Sequence, residues 1–284
     1  MTLAGYTIRP MTRSDLDLAI AWAAAEGWNP GLDDADSFYS ADPTGFWMGW
    51  LDDQPIACLS TVKYGDRFGF VGFYIVVPQY RGQGYGWAIW QAGLASLGDR
   101  LIGLDGVVAQ QENYRRSGFE LAYCNQRYSG LSRRLQSELP AAIRRLEPAD
   151  FPTLLAYDRQ LFPEDRHSFL EKWLTQPRAI ALGYFASQGL QGYGQIRPSQ
   201  AGYRIGPLFA DQPEIAQQLF LALQSQIPES QPIFWDIPTV NTAAIAIATE
   251  QGFTSMFDTA RMYRGAAPDI SLNRLYGVTS LELG

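Results

Sequence analysis

The residues with the clearest chemical potential stand together at Val76-Val77-Pro78-Gln79-Tyr80-Arg81-Gly82-Gln83-Gly84-Tyr85-Gly86. A strand pattern runs into a glycine-dense turn and then into an apolar helix pattern from about Gly84 to Leu97. Such a turn aims successive backbone N–H groups at one point, at the positive end of a helix, where a pyrophosphate fits. A side chain on Gly82, Gly84 or Gly86 would block close approach or forbid the backbone angles of the turn. Two other phosphate signatures fail. A G-x-G-x-x-G pattern counted from Gly82 puts Trp87 where the third glycine belongs, and no Walker lysine follows Gly86. A plain strand-to-helix turn without a ligand is the alternative.

Arg81-Gly82-Gln83-Gly84-Tyr85-Gly86 resembles the R-x-x-G-x-G motif of the GCN5-related N-acetyltransferases (GNAT), which use this loop for acetyl-CoA. Tyr114-Arg115-Arg116-Ser117-Gly118-Phe119 resembles the Y-x-x-x-G-F segment of the same family, and the resemblance spans roughly Tyr6 to Tyr128. It implies a sheet that splays beside Ile75, Val76 and Val77, whose backbone pairs with the pantetheine arm. It also implies that Arg81, Gly82, Gln83, Gly84, Tyr85 and Gly86 hold the pyrophosphate. By the same resemblance Tyr114 is the general acid that protonates the leaving sulfur, and a backbone N–H near Val76 or Val77 polarises the carbonyl. A packing role is the alternative for Tyr114. The family often has asparagine seven residues before this tyrosine. Val107 stands there, and Asn113 is the cofactor-binding candidate instead.

The acceptor is approached through charge. No Lys or Arg lies between Arg13 and Lys63, a span holding Glu26, Asp33, Asp34, Asp36, Asp42, Asp52 and Asp53. In the resembled fold the segment after the first helix lines the acceptor side. Glu26, Trp28 and Asn29 are therefore the acceptor candidates, with carboxylate and aromatic face suited to a cationic amine. Glu26 is also the candidate base. Solvated loop acids around a core tryptophan are the alternative.

The elements that must position these groups repeat once along the chain. Ile8 to Leu16 aligns with Ile143 to Phe151 at an offset of 135, and Ser117-Gly118-Phe119 aligns with Gln251-Gly252-Phe253 at 134. In the first half the order is strand, helix, loop, then three strands, the glycine turn with its helix, another strand and a short helix. This alternation implies an α/β fold with a mixed sheet, and the resemblance makes it two tandem acyl-CoA N-acyltransferase folds. The second copy has lost its chemistry. Asp211-Gln212-Pro213-Glu214 replaces the glycine turn, with acids that repel pyrophosphate and a proline lacking an N–H, and Ala248 stands at the tyrosine position. Residues 1–137 are expected to bind acetyl-CoA, and 138–284 to form a degenerate GNAT-like domain for acceptor binding or structure.

Composition narrows the partners. The 284 residues carry 22 Lys+Arg against 29 Asp+Glu, so the surface as a whole attracts neither nucleic acid nor an anionic membrane. Apolar runs break well before the roughly 20 residues of a spanning helix, and no signal-peptide pattern opens the chain. Cys58 and Cys124 form no C-x-x-C pattern, and a reducing cytoplasm fits. A lone histidine, His167, builds no metal site. Arg166 and Arg204 are each either carboxylate readers or members of structural ion pairs. The reading is an N-acetyltransferase that uses acetyl-CoA as cosubstrate and no metal, and attacks the thioester directly with a small-molecule primary amine. A monomer or homodimer is expected. A non-catalytic acyl-CoA sensor and an aminoacyl transferase of tandem type are the alternatives.

Overall fold

The computed structural model describes residues 3–134 and 138–284, so the expected boundary at 137/138 touches residues outside the description. The first half runs β1 (Tyr6–Pro10), α1 (Arg13–Ala25), α2 (Asp34–Ala41), β2 (Phe46–Leu51), β3 (Gln54–Tyr64), β4 (Phe68–Val76), α3 (Tyr85–Leu97), β5 (Leu101–Val107), α4 (Gln111–Arg115) and β6 (Glu120–Leu131). The second runs β7 (Ile143–Arg145), α5 (Phe151–Asp158), α6 (His167–Leu174), β8 (Ile180–Ala186), β9 (Gly189–Ser199), β10 (Gly202–Ala210), α7 (Pro213–Gln224), β11 (Pro232–Pro238), α8 (Thr242–Glu250) and β12 (Thr254–Arg264). A short strand, β13 (Leu275–Gly277), follows. The α/β class with a mixed sheet is as expected.

Local sequence explains most of these elements. α1 starts at a capping box in which Thr12 and Asp15 satisfy each other's backbone N–H, and it buries Leu16, Ala19, Ile20 and Ala23 on one stripe. α2 stands where a loop was expected. Its Asp- and Ser-rich sequence looks like turn material, yet Asp34 and Asp36 favour a helix N-terminus, and Phe38 is buried.

The repeat is structural. β4 begins at Phe68 and β10 at Gly202, 134 positions on, but α3 begins at Tyr85 and α7 at Pro213, only 128 on. The shortfall falls where the second half lacks the glycine turn.

What the repeat does not announce is an exchange of strands. The sheet is continuous, in the order β1-β2-β3-β4-β5-β12-β6-β11-β10-β9-β8-β7. β12 of the second half pairs antiparallel with β5 of the first, and β6 of the first pairs antiparallel with β11 of the second. β6 and β12 pair with each other at the centre. Each half thus caps the other's open edge, leaving no unpaired strand at the seam. One core cluster draws Leu16, Phe38 and Phe70 together with Tyr157, Phe169 and Trp173.

Two gaps interrupt this sheet. β4 and β5 run parallel and pair only from Phe68↔Leu101 to Val71↔Leu104, then diverge. β10 and β11 pair only from Tyr203↔Ile233 to Ile205↔Trp235. Among the described residues no helix is long and apolar enough to cross a membrane.

Candidate active site

A cavity of about 850 Å³ opens where β4 leaves β5. On one side lies the glycine turn. Gly82 and Gly84 adopt φ of 74° and 91°, in the left-handed region that glycine tolerates. A Cβ at Gly82 would meet nothing within 4 Å, and one at Gly84 only Leu3 at 3.9 Å, so the space before the turn is open. Among the described residues no backbone carbonyl accepts from the N–H groups of Gly82, Gln83 or Gly84, and those of Tyr85 and Gly86 begin α3 unpaired. This cradle fits a pyrophosphate. Gly86 serves a different purpose. A Cβ there would lie 2.9 Å from the Tyr74 hydroxyl and 3.0 Å from Val76, so its absence lets α3 lie against β4.

Of the residues expected to hold the cofactor, Ile75, Val76, Arg81, Gly82, Gly84 and Gly86 line the cavity. Arg81 also braces the turn, donating from Nε to Val76 O at 2.7 Å and from Nη2 to Glu26 at 2.5 Å. Four expected residues stand outside the wall. The Val77 N–H is committed to Ile56 O at 2.9 Å, and the Gln83 amide folds back to Gln79 O at 2.9 Å. Tyr85 packs on Tyr6, with ring centroids 4.9 Å apart. Asn113 donates to the Gln110 side chain at 2.6 Å, and it is Gln110 that reaches the cavity. The strand pairing is also interrupted at Phe73, whose φ of 47° bulges β4 and sets Gly72, Phe73 and Tyr74 along the wall.

Tyr114 lines the cavity from the α3 side. Its ring packs 5.5 Å from that of Trp90, over Gly106, where a Cβ would collide with it. Burial, with a smaller push from Tyr74, raises its phenol above the ordinary value, and burial takes Tyr74 up to about 12. The group is therefore a protonated donor at neutral pH.

Of the residues expected to meet the acceptor, Glu26 and Trp28 line the cavity. Asn29 does not. Its side chain clamps the β9–β10 hairpin, accepting from Ala201 N at 2.8 Å and donating to Ala201 O at 3.4 Å. The same wall carries Arg127, Phe257, Asp258, Thr259, Leu281 and Glu282, none of which the sequence signalled. Strand exchange brings β12 here, and the segment after β13 completes the wall. Arg127 and Arg204 close on Asp236 at 2.6 to 2.8 Å. Burial opposes ionisation of Asp236, yet these two guanidiniums outweigh it and hold the carboxyl at about 2. Arg166 pairs with buried Asp158 at 2.7 and 2.8 Å. Arg166 and Arg204 thus belong to buried ion pairs. Among the described residues no group of side chains could hold a metal ion.

An acetyltransferase (GNAT) family model matches residues 15–119, and an acetyltransferase (GNAT) domain model matches residues 154–277. Holothin acyltransferase of Pseudoalteromonas sp. (strain SANK 73390) is 31% identical over 279 residues, 98% of this chain and 95% of that relative. The chain belongs to the GNAT family as a tandem member. It is an acyltransferase of that type. A structure from Pyrococcus horikoshii described as an acetyltransferase shares the fold at a TM-score of 0.84 and 20% identity, over 100% of this chain and 98% of its own. A tandem GNAT protein from the clavulanic acid biosynthesis pathway does so at 0.64 and 16%, over 93% and 100%.

In this tandem GNAT protein the second half has the same gap without the same contents. β13 fills it, pairing antiparallel with β10 through Leu208↔Gly277 and Phe209↔Leu275. Asp211 receives Arg274 at 2.6 Å and the Tyr157 hydroxyl at 2.9 Å, and Pro213 opens α7. The tyrosine position is verified by backbone: Phe119 N donates to Tyr114 O, and Phe253 N donates to Ala248 O. Ala248 is buried in the second core.

Proposed function

We propose that the first half moves an acetyl group from acetyl-CoA to the primary amine of a small acceptor by direct attack on the thioester. The observation that carries this reading is the coincidence, in one cavity, of the open glycine cradle and the buried Tyr114 phenol. Acetyl-CoA, when bound, supplies a thioester whose leaving group is a thiolate. The N–H groups of Gly82 to Gly86 hold its pyrophosphate, and the β4 edge from Gly72 to Val76 receives the pantetheine arm. Backbone N–H groups around the Phe73 bulge polarise the acyl carbonyl, and Tyr114 gives the sulfur its proton. The Trp28 face receives a cationic or aromatic acceptor. Relatedness to a holothin acyltransferase supports transfer to a discrete acceptor over a sensing role.

The test is free-thiol release from acetyl-CoA in the presence of holothin and a panel of aliphatic, aralkyl and heteroaryl primary amines. Amine-dependent release is expected, with the acetylated amine as product. Thermal stabilisation by acetyl-CoA without release from any amine would instead establish a sensor.

A further inference from the structure

Four carboxylates line the cavity, and three are satisfied. Glu26 meets Arg81, Asp105 meets Arg261 at 2.6 and 2.8 Å, and Asp258 accepts from Gln126 at 2.7 Å. Glu282 is held at one oxygen only. It is 3% exposed, and its Oε1 accepts from Arg204 Nη1 at 3.4 Å in a long ion pair, while the other end of that guanidinium is committed to Asp236. Among the described residues its Oε2 is buried without any partner. The Thr259 hydroxyl, of a residue on the same cavity wall, is likewise buried and has no partner among the described residues. Burying polar oxygens unpaired is costly, so two of them on residues that line one cavity point to a ligand that supplies hydrogen-bond donors there.

Their placement matches what acyl transfer needs. Along β12, Ala260 and Met262 pack with Trp90 and Tyr114 on the α3 face, so Thr259 lies on the opposite face with Arg261, whose guanidinium covers Phe70. Glu282 reaches that face too. Its neighbour Leu283 is buried with Phe38 and Phe70, and the Leu283 carbonyl accepts from Tyr64 at 3.0 Å. The Glu282 carbonyl presses on Gly72, where any Cβ would collide with it. The proton donor thus stands on one side of the splayed strands and the carboxylate with one unpartnered oxygen on the other.

We propose that Glu282, supplied by the second half, is the residue that receives the acceptor's amine in the first half's cavity and takes its proton, with Thr259 as a second hydrogen-bond partner. The proposal rests on the acetyl-transfer reading above. The amine nitrogen bonds to the acyl carbon, and the carbon–sulfur bond breaks with its electron pair going to sulfur. Below its own pKa the amine enters as an ammonium, and Glu282 takes that first proton and passes it through water to solvent. It takes the second N–H proton as the nitrogen bonds, and Tyr114 gives one to the sulfur; water then carries the second proton from Glu282 back to Tyr114, so amide, thiol and one released proton are the net products. On this assignment Glu26, paired with Arg81, is not the base.

The experiment compares wild type, Glu282→Gln and Thr259→Val with the panel amine that wild type acetylates fastest. Glu282→Gln should lower kcat/KM for the amine by about 10²-fold or more while retaining the thermal shift with acetyl-CoA. Its deficit should shrink as pH rises past the amine's own pKa, because the amine then arrives deprotonated. Thr259→Val should cost about 10-fold, the scale of one hydrogen bond. Turnover by Glu282→Gln within about threefold of wild type, or a deficit that is flat with pH, overturns the assignment. If Glu282→Gln does not fold, Glu282→Asp takes its place. A shortened reach must then lower kcat/KM at least about 10-fold at unchanged acetyl-CoA KM, and normal turnover overturns the assignment. A wild-type chain that acetylates no amine overturns the acyl-transfer reading and this proposal with it, whereas an active wild type matched by its variant overturns this proposal alone.

Discussion

The two gaps in the sheet began as equivalent features and now differ in every respect that matters to a ligand. Eight residues, 77 to 84, separate β4 from α3, whereas Asp211 and Gln212 alone separate β10 from α7. The longer connection makes the glycine cradle, and the shorter one removes it. β13 then occupies the second gap, held by the Asn241 amide, which donates to the carbonyls of Leu272, Asn273 and Leu275. The same segment runs on to place Leu281 and Glu282 in the wall of the first cavity. A degenerate half is therefore not idle. It closes its own cleft and finishes its partner's.

The largest effect should come from breaking the seam that makes the halves one body. Asp236 of β11 is held by Arg127 of β6 and by Arg204 of β10, all three nearly inaccessible. Asp236→Ala leaves two buried guanidiniums short of their counter-ion, and the expected cost is about 3 to 5 kcal/mol in denaturant unfolding. Both halves should unfold in one shifted transition. A first half that keeps its original midpoint would mean the halves are energetically separate despite the shared sheet. The same group sets an acid limit. Its folded pKa of about 2 lies below the roughly 3.9 of an unfolded aspartate, so its contribution is full above about pH 4 and lost as pH falls towards 2. About 2 to 3 kcal/mol should disappear across that window, read from urea midpoints at successive pH values.

Next come the two substitutions that make the first cleft resemble the second. Gly84→Val puts a β-branched residue at φ of 91° in front of the open cradle. The stabilisation by acetyl-CoA, about 2.7 kcal/mol at a hundredfold excess over Kd, should vanish, while a valine at Gln212 should leave it intact. Tyr114→Phe should preserve that stabilisation and lower turnover about 10²-fold, because only the donated proton is lost. Since burial raises the phenol, wild-type turnover should not fall near pH 10 through ionisation of Tyr114. Unchanged turnover in the phenylalanine variant would return the ring to a packing role.

The legible parts of this protein were those written in short stretches of chain. The glycine turn, the Tyr114 segment, and the loss of both at Asp211–Glu214 and Ala248 are each confined to one strand–turn–helix or helix–turn–strand unit, where residue type dictates backbone directly. Asn29 and Asn113 stand outside the cavity wall because an amide that looks poised for a ligand is equally ready to bind nearby backbone or side chain. The exchange of β6 and β12 left no local mark, since either strand suits either edge and the choice is made by partners such as Asp105 and Arg261, 156 positions apart. Glu282 was invisible for the same reason: its setting exists only after the exchange.

The smallest effect tests which difference closes the second cleft, the missing turn or the inserted strand. Arg274 ties the segment before β13 to Asp211 at 2.6 Å and to Gln160 at 3.0 Å, and lies 4.9 Å from the Tyr157 ring centroid. Both partners of the ion pair are partly exposed, so Arg274→Ala should cost only about 1 kcal/mol. Loosening this tie should not create a second donor site. α7 would still begin with Pro213, which has no N–H to offer, and the Asp211 carboxylate, freed of its cation, would repel a pyrophosphate more strongly than before. Calorimetry with acetyl-CoA should therefore give one site per chain in both wild type and variant. Two sites in the variant alone would mean that β13, rather than the lost glycine turn, is what keeps the second half empty.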